Sequence, residues 1–144
     1  MKTRAVRLYG VNDLRTEEFE LPAIKEDEIL ACVLSDSICM SSYKAAIQGA
    51  SHKRVPNNVA ENPIIIGHEF SGEIVEVGAR VTGFKKGDAV VGEPHNKACG
   101  KCYLCRNGHI QNCNDKRSIG WGIDGSFTTY MVTEFTKEWL EIVK

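Results

Sequence analysis

Four cysteines, Cys99, Cys102, Cys105 and Cys113, share one short stretch with the spacing C-x2-C-x2-C-x7-C. Thiolates two and seven residues apart can converge on one tetrahedral site, the geometry Zn2+ takes with four sulfur ligands. The residues between them (Gly100, Lys101, Tyr103, Leu104 and Arg106 to Asn112) are mostly small or polar. They offer little apolar surface, so the loop cannot order itself by packing, and a metal is the natural means of fixing it. A pair of disulfides is the competing reading. Cysteines this tightly spaced, with no secretion signal ahead of them, favour zinc. The expectation is a closed structural lobe at about 94–116 that does no chemistry itself.

Cys39, His68 and Glu69 form a second candidate set. Singly, each has an ordinary reading: a packed thiol, a satisfied imidazole, a solvated carboxylate. Gly67 lets the backbone turn just before His68, and Glu69 can serve as a ligand or as the acceptor that orients the imidazole. Cys39 falls in the first turn of a predicted helix, where free N–H groups favour thiolate. One thiolate, one imidazole and one carboxylate or water make an open site, the catalytic kind. Spacing alone leaves both readings open.

These residues need a frame. Arg4 to Tyr9 alternates, and Leu14 to Leu21 reads as its hairpin partner across Gly10-Val11-Asn12-Asp13, with Pro22 ending the strand. Glu28 to Ser35 is almost continuously apolar, which predicts a central strand with Cys32 as a buried core thiol. Ile38 to Gln48 turns helical with Gly49 in the stop position, and Ala50 to Asn62 reads as a polar loop. After Ile64-Ile65-Ile66 comes a strand through Ile74 to Val77. Glycines at 72, 78, 83 and 87 then precede Asp88 to Gly92, as in the corners and bulges of a small barrel. The cysteine lobe interrupts the barrel, and Ser126 to Thr133 resumes it with the strand-like run Phe127 to Val132. No strand–GxGxxG–helix unit occurs, so no dinucleotide site is visible.

At 144 residues and a formal charge of −1 the chain suits one domain, and nothing in its charge argues for nucleic acid or an anionic membrane. Lys97, Lys101, Arg106, Lys116 and Arg117 around the lobe allow a rival reading, a free-standing zinc module that binds a partner or nucleic acid. Acidic residues balance that charge, and no cluster of stacking aromatics accompanies it. The N-terminus lacks the apolar core of a signal peptide, and no apolar run approaches the roughly 20 residues that span a bilayer. Cysteine usage suits a reducing cytoplasm.

The run Gly67-His68-Glu69-Phe70-Ser71-Gly72-Glu73, continuing through Gly78 and Val81, resembles the signature of zinc-containing alcohol dehydrogenases. The cysteine lobe downstream, Cys39 before a helix, and Gly87-Asp88 match as well, so the resemblance covers essentially the whole chain. It implies the medium-chain dehydrogenase/reductase superfamily and a mainly-β fold, a GroES-like small barrel with short helices and a zinc-binding lobe. Residues 1–144 would be its catalytic domain, with NAD or NADP bound by a Rossmann domain absent from this chain. By the same resemblance Cys39 and His68 are catalytic zinc ligands, and Glu69 either ligates directly or stands behind them. Ser41 falls where a hydroxyl relays the substrate proton, and Lys44 where many members carry a relay His. Two departures stand out: Cys39-Met40-Ser41-Ser42 replaces the usual Cys-Gly-Ser/Thr-Asp, and Lys44 replaces the His.

The N-terminal run, including Ser35 to Cys39 and Gln48 to Pro56, is similar to bacterial sorbose-1-phosphate reductases. This implies alcohol–ketone interconversion on a polyol, ketose or sugar phosphate, with Lys53 and Arg54, beside His52, reaching the phosphate from the loop. The alternative within the superfamily is a secondary-alcohol or threonine/polyol dehydrogenase. A small-molecule substrate, a cytoplasmic location and a homo-oligomeric full-length protein are the corresponding expectations.

Overall fold

Antiparallel pairing organises the chain. In the computed structural model, which describes residues 1–92, 98–134 and 140–142, strand β1 (Lys2–Gly10) pairs with β2 (Asp13–Glu20) across a tight turn. Asn12 takes that turn at φ 54, the left-handed region that its short polar side chain tolerates. Strand β4 (Ile64–Ile65) covers the other side of β1, giving a three-stranded sheet in the order β2-β1-β4. The second sheet runs β7-β3-β5-β6-β8. Its members are β7 (Tyr130–Glu134), β3 (Glu28–Asp36), β5 (Phe70–Val77), β6 (Ala89–Gly92) and β8 (Leu140–Ile142). The architecture is mainly β and two-sheeted, as the resemblance implies, with β3 central between β5 and β7 as its apolar run requires.

Two cores sit under these sheets. One gathers Ile29, Ala31, Phe70, Ile74, Val90, Ile119 and Met131 beneath the larger sheet. The other packs Leu8, Ala45, Val55, Val59, Ile66 and Trp121 between the small sheet, helix α1 (Met40–Gln48) and the loop after it. Helix α1 turns Ser42, Ala45 and Ala46 inward, the i, i+3, i+4 spacing of one face. Gly49 ends it at φ +52, where a Cβ would meet the Val11 backbone N at 2.7 Å. The lobe holds the short helix α2 (Tyr103–Arg106) and a 3-10 turn at Ile110–Asn112. Its expected first residues, 94–97, lie outside the described ones.

Several local expectations shift. Helix α1 begins at Met40, and Cys39 is its extended N-cap (φ −66, ψ 142), one position ahead of the first turn. Cys32 is half-buried, because it stands where β3 passes from its wholly buried first part, Glu28 to Ala31, to its half-buried and exposed second part. Residues 127–129 precede β7 as a crossing between sheets: Val6 donates to the Phe127 carbonyl, while Val33 of the other sheet donates to that of Thr129. Strand β8, on the edge of β6, had no distinct sequence signal. Among the described residues no helix is long and apolar enough to cross a membrane.

Candidate metal centres and the cleft beside them

The lobe brings its four sulfurs together. All lie within 4.8 Å of one another, with Cys102–Cys105 at 3.4 Å, Cys99–Cys105 at 3.9 Å and Cys102–Cys113 at 4.0 Å. Four sulfurs each about 2.3 Å from a tetrahedral zinc stand about 3.8 Å apart, so the spacing fits the metal. It does not fit a disulfide at about 2.05 Å, and all six cysteines are free. Backbone N–H groups are turned onto the sulfurs: Cys99 donates to Cys113 Sγ at 3.4 Å, Cys102 to Cys99 Sγ at 3.4 Å and Cys105 to Cys102 Sγ at 3.5 Å. The N–H groups of Lys101 and Cys102 draw the Cys99 thiol down to about 7. Burial, and then the hydrogen bonds of Cys102 and Cys113, push Cys105 up to about 12. Sulfurs this crowded cannot all ionise unless a cation neutralises them.

The second set is built by strand pairing. Asp36 at the end of β3 lies opposite Phe70 at the start of β5, so both chains leave the sheet at one edge. Ser37 N–H donates to the Glu69 carbonyl at 3.0 Å, and three residues on from Asp36 stands Cys39. Cys39, His68 and Glu69 thereby offer ligand atoms within 4.8 Å of one another. Gly67 precedes them at φ +97, and a Cβ there would strike Phe127 and Asp36 Oδ2, so only glycine fits this turn. The set is one cysteine sulfur, one imidazole and one carboxylate, a donor combination suited to zinc with a position left open.

The surrounding hydrogen bonds orient each donor. Ser41 Oγ donates to Cys39 Sγ at 3.2 Å and lies 3.3 Å from His68 Nε2, while Ser42 Oγ lies 3.5 Å from Nδ1 on the other side of the buried ring. Ser37 hydrogen-bonds the Glu69 carboxylate and, with Cys39, holds it below the usual carboxylate range. Asp36 accepts the Glu69 N–H at 3.3 Å, and burial raises its own carboxyl.

Ser41 and Lys44 open onto a cleft of about 490 Å³ that His52, Lys53 and Arg54 also line. The structure thus gathers Ser41, Lys44, Lys53 and Arg54 around one space. Trp121 and Ser42 were not singled out as site residues in the sequence, and both touch the site. The Trp121 ring is 5.8 Å from that of His68, stacks on His52 at 5.3 Å and receives the Arg54 guanidinium at 5.9 Å. A tryptophan far along the chain gave no local signal for this. Ser42 had one, as the polar residue on the inward face that α1 shares with Ala45 and Ala46.

Residues 25–142 match the alcohol dehydrogenase GroES-like domain family. The chain belongs to it. An L-sorbose 1-phosphate reductase of Klebsiella pneumoniae is 63% identical over 78 residues, 54% of this chain and 19% of that protein. A sorbitol dehydrogenase of Bacillus subtilis is 35% identical over 129 residues, 89% of this chain and 35% of that protein. The solved galactitol-1-phosphate dehydrogenase of Escherichia coli superposes with a TM-score of 0.81 at 29% identity, covering 98% of this chain and 38% of that one. This GroES-like domain therefore spans well under half the length of each, and these homologues are oxidoreductases.

Proposed function

We propose that this GroES-like domain is the catalytic part of a zinc-dependent NAD(P) oxidoreductase that interconverts an alcohol and a ketone on a ketose, polyol or sugar phosphate. The observation that carries the reading is the convergence of Cys39, His68 and Glu69 beside a cleft lined by Ser41, Lys44, Lys53 and Arg54. Zinc held by Cys39, His68 and Glu69 would supply Lewis acidity at the substrate oxygen, and a nicotinamide cofactor would supply the hydride chemistry. Ser41 Oγ, within reach of both Cys39 and His68, holds the proton that leaves the alcohol or returns to the ketone. Ser42 and Trp121 fix the His68 ring between them, and Ser37 fixes the Glu69 carboxylate. Lys44 lines the same cleft and, as an ammonium, offers donors to the substrate hydroxyls. The lobe cysteines hold a second, structural zinc.

The preference for a sugar phosphate draws on the likeness to the L-sorbose 1-phosphate reductase and on the basic wall of the cleft. The test uses the zinc-loaded full-length protein with NAD and NADP, comparing a ketose 1-phosphate with sorbitol, threonine and a simple secondary alcohol. Turnover should favour the phosphorylated sugar, and Cys39→Ala should abolish it. Changing Lys53 and Arg54 together to Ala should raise KM for the ketose phosphate about tenfold while leaving the free sugar unchanged. Preference for sorbitol or threonine would move the assignment to those dehydrogenases. No turnover on any alcohol–ketone pair would overturn it.

A further inference from the structure

Arg54 lines two cavities. Besides the larger cleft it borders a pocket of about 240 Å³ formed with Lys116, Arg117, Ser118, Trp121 and Gly122. Three of those six residues are cations. None of the three has a carboxylate partner among the described ion pairs. The pocket is built on a tight turn: the Ser118 carbonyl accepts from Trp121 and Gly122, both at 3.0 Å, and Ile119 bridges Ile123. Gly122 has no side chain, which lets the Arg117 stem lie against the turn, since a Cβ there would sit 3.3 Å from Arg117 Cβ. Lys116 is tethered through its ammonium to the Gln111 carbonyl at 2.8 Å, and its N–H bonds the Cys113 carbonyl at 3.3 Å. Three cations held around one concavity create a field that selects an anion, and guanidinium groups bind phosphate oxygens in pairs.

Size and position narrow the ligand. A pocket below about 300 Å³ takes the end of a molecule rather than the whole of one. Arg54 also lines the cleft of Ser41 and Lys44, so a molecule whose end Arg54 holds in the pocket can extend its body toward the metal donors. Trp121 is 5.8 Å from the His68 ring and 5.9 Å from the Arg54 guanidinium, so the two steps together bound the gap between them. A short polyol chain spans such a gap. We propose that Arg54, Lys116 and Arg117 around Trp121 form the subsite for a phosphomonoester dianion and seat the phosphate end of the substrate, with Lys53 outside it. The proposal rests on the sugar-phosphate reading above and adds to it two residues from the segment leaving the cysteine lobe.

The test titrates inorganic phosphate into the zinc-loaded protein, following heat and the Trp121 indole N–H resonance. One saturable site should appear, with that resonance shifting. Arg117→Gln and Lys116→Gln should each weaken binding about tenfold, and Lys86→Gln, at an exposed position lining neither cavity, should leave it within twofold. KM for a ketose 1-phosphate should rise in parallel with kcat little changed. Unaltered phosphate affinity in both Lys116→Gln and Arg117→Gln, or an equal loss in Lys86→Gln, overturns the subsite. Variants that weaken NADP but not the sugar phosphate assign the anion to the cofactor and overturn the substrate assignment. Phosphate binding that depends on Arg117, in an enzyme equally active on free and phosphorylated sugar, overturns the sugar-phosphate function while the anion pocket itself stands.

Discussion

His52 is the residue through which the basic wall can be read by titration. Burial first, and then the charges of Arg54, Lys53 and Lys44, hold its imidazole below the ordinary value of 6.5. The folded chain therefore favours the neutral ring, and the unfolded chain takes up the proton first as pH falls. The contribution of His52 to stability is complete above 6.5 and is lost as pH drops through its lower folded value. His52→Phe keeps an aromatic ring against Trp121 but removes the titration. Its melting temperature should fall less than that of the parent chain between about pH 7 and pH 5, measured by circular dichroism. An equal fall in both proteins would assign the pH dependence elsewhere.

At the scale of elements, the site depends on where β3 ends, where β5 begins and how closely the 125–127 segment passes beneath them. Gly125 donates to the Ile65 carbonyl, and Ser126 to that of Gly67. A Cβ at Gly125 would sit 2.4 Å from the Ile66 carbonyl oxygen and 2.5 Å from that of Gly67. Neither can yield without moving the backbone that presents His68. Gly125→Ala should cost about 2–3 kcal/mol in chemical denaturation and weaken metal binding at the open site. Gly10→Ala meets nothing within 4 Å and should stay within about 0.5 kcal/mol. Equal effects from the two would mean that close passage under Gly67 does not hold the site.

For the molecule as a whole, two donor sets of different closure predict two metals of different tenacity. Four sulfurs surround the lobe position, whereas Cys39, His68 and the exposed Glu69 leave theirs open to solvent. Dialysis against a weak chelator should strip zinc bound at Cys39 and His68 and spare the lobe, as elemental analysis before and after will register. Cys39→Ala should lower the zinc content by one equivalent and leave the lobe loaded. Loss from both at the same rate would contradict the distinction between structural and open sites.

The cysteine lobe was legible in the chain because its ligands are so close in sequence that any compact path brings them together. The same holds for the β1–β2 hairpin, whose turn residues sit between its strands, and for the stop at Gly49. Cys39 and His68 were nameable by residue type and by resemblance, but their meeting depends on the β3–β5 register, which a one-residue slip would undo. The starting positions of α1 and β7 depended likewise on neighbours outside the local pattern: the first on Cys39 being held extended, the second on residues 127–129 bonding to both sheets. Arg54 joins Lys116, Arg117 and Trp121 because its neighbour Val55 and the distant Trp121 enter one core. Local spacing sets which side chains can share a ligand over a few residues, while contacts between distant segments are chosen by packing and strand pairing, and these exist only in the folded chain.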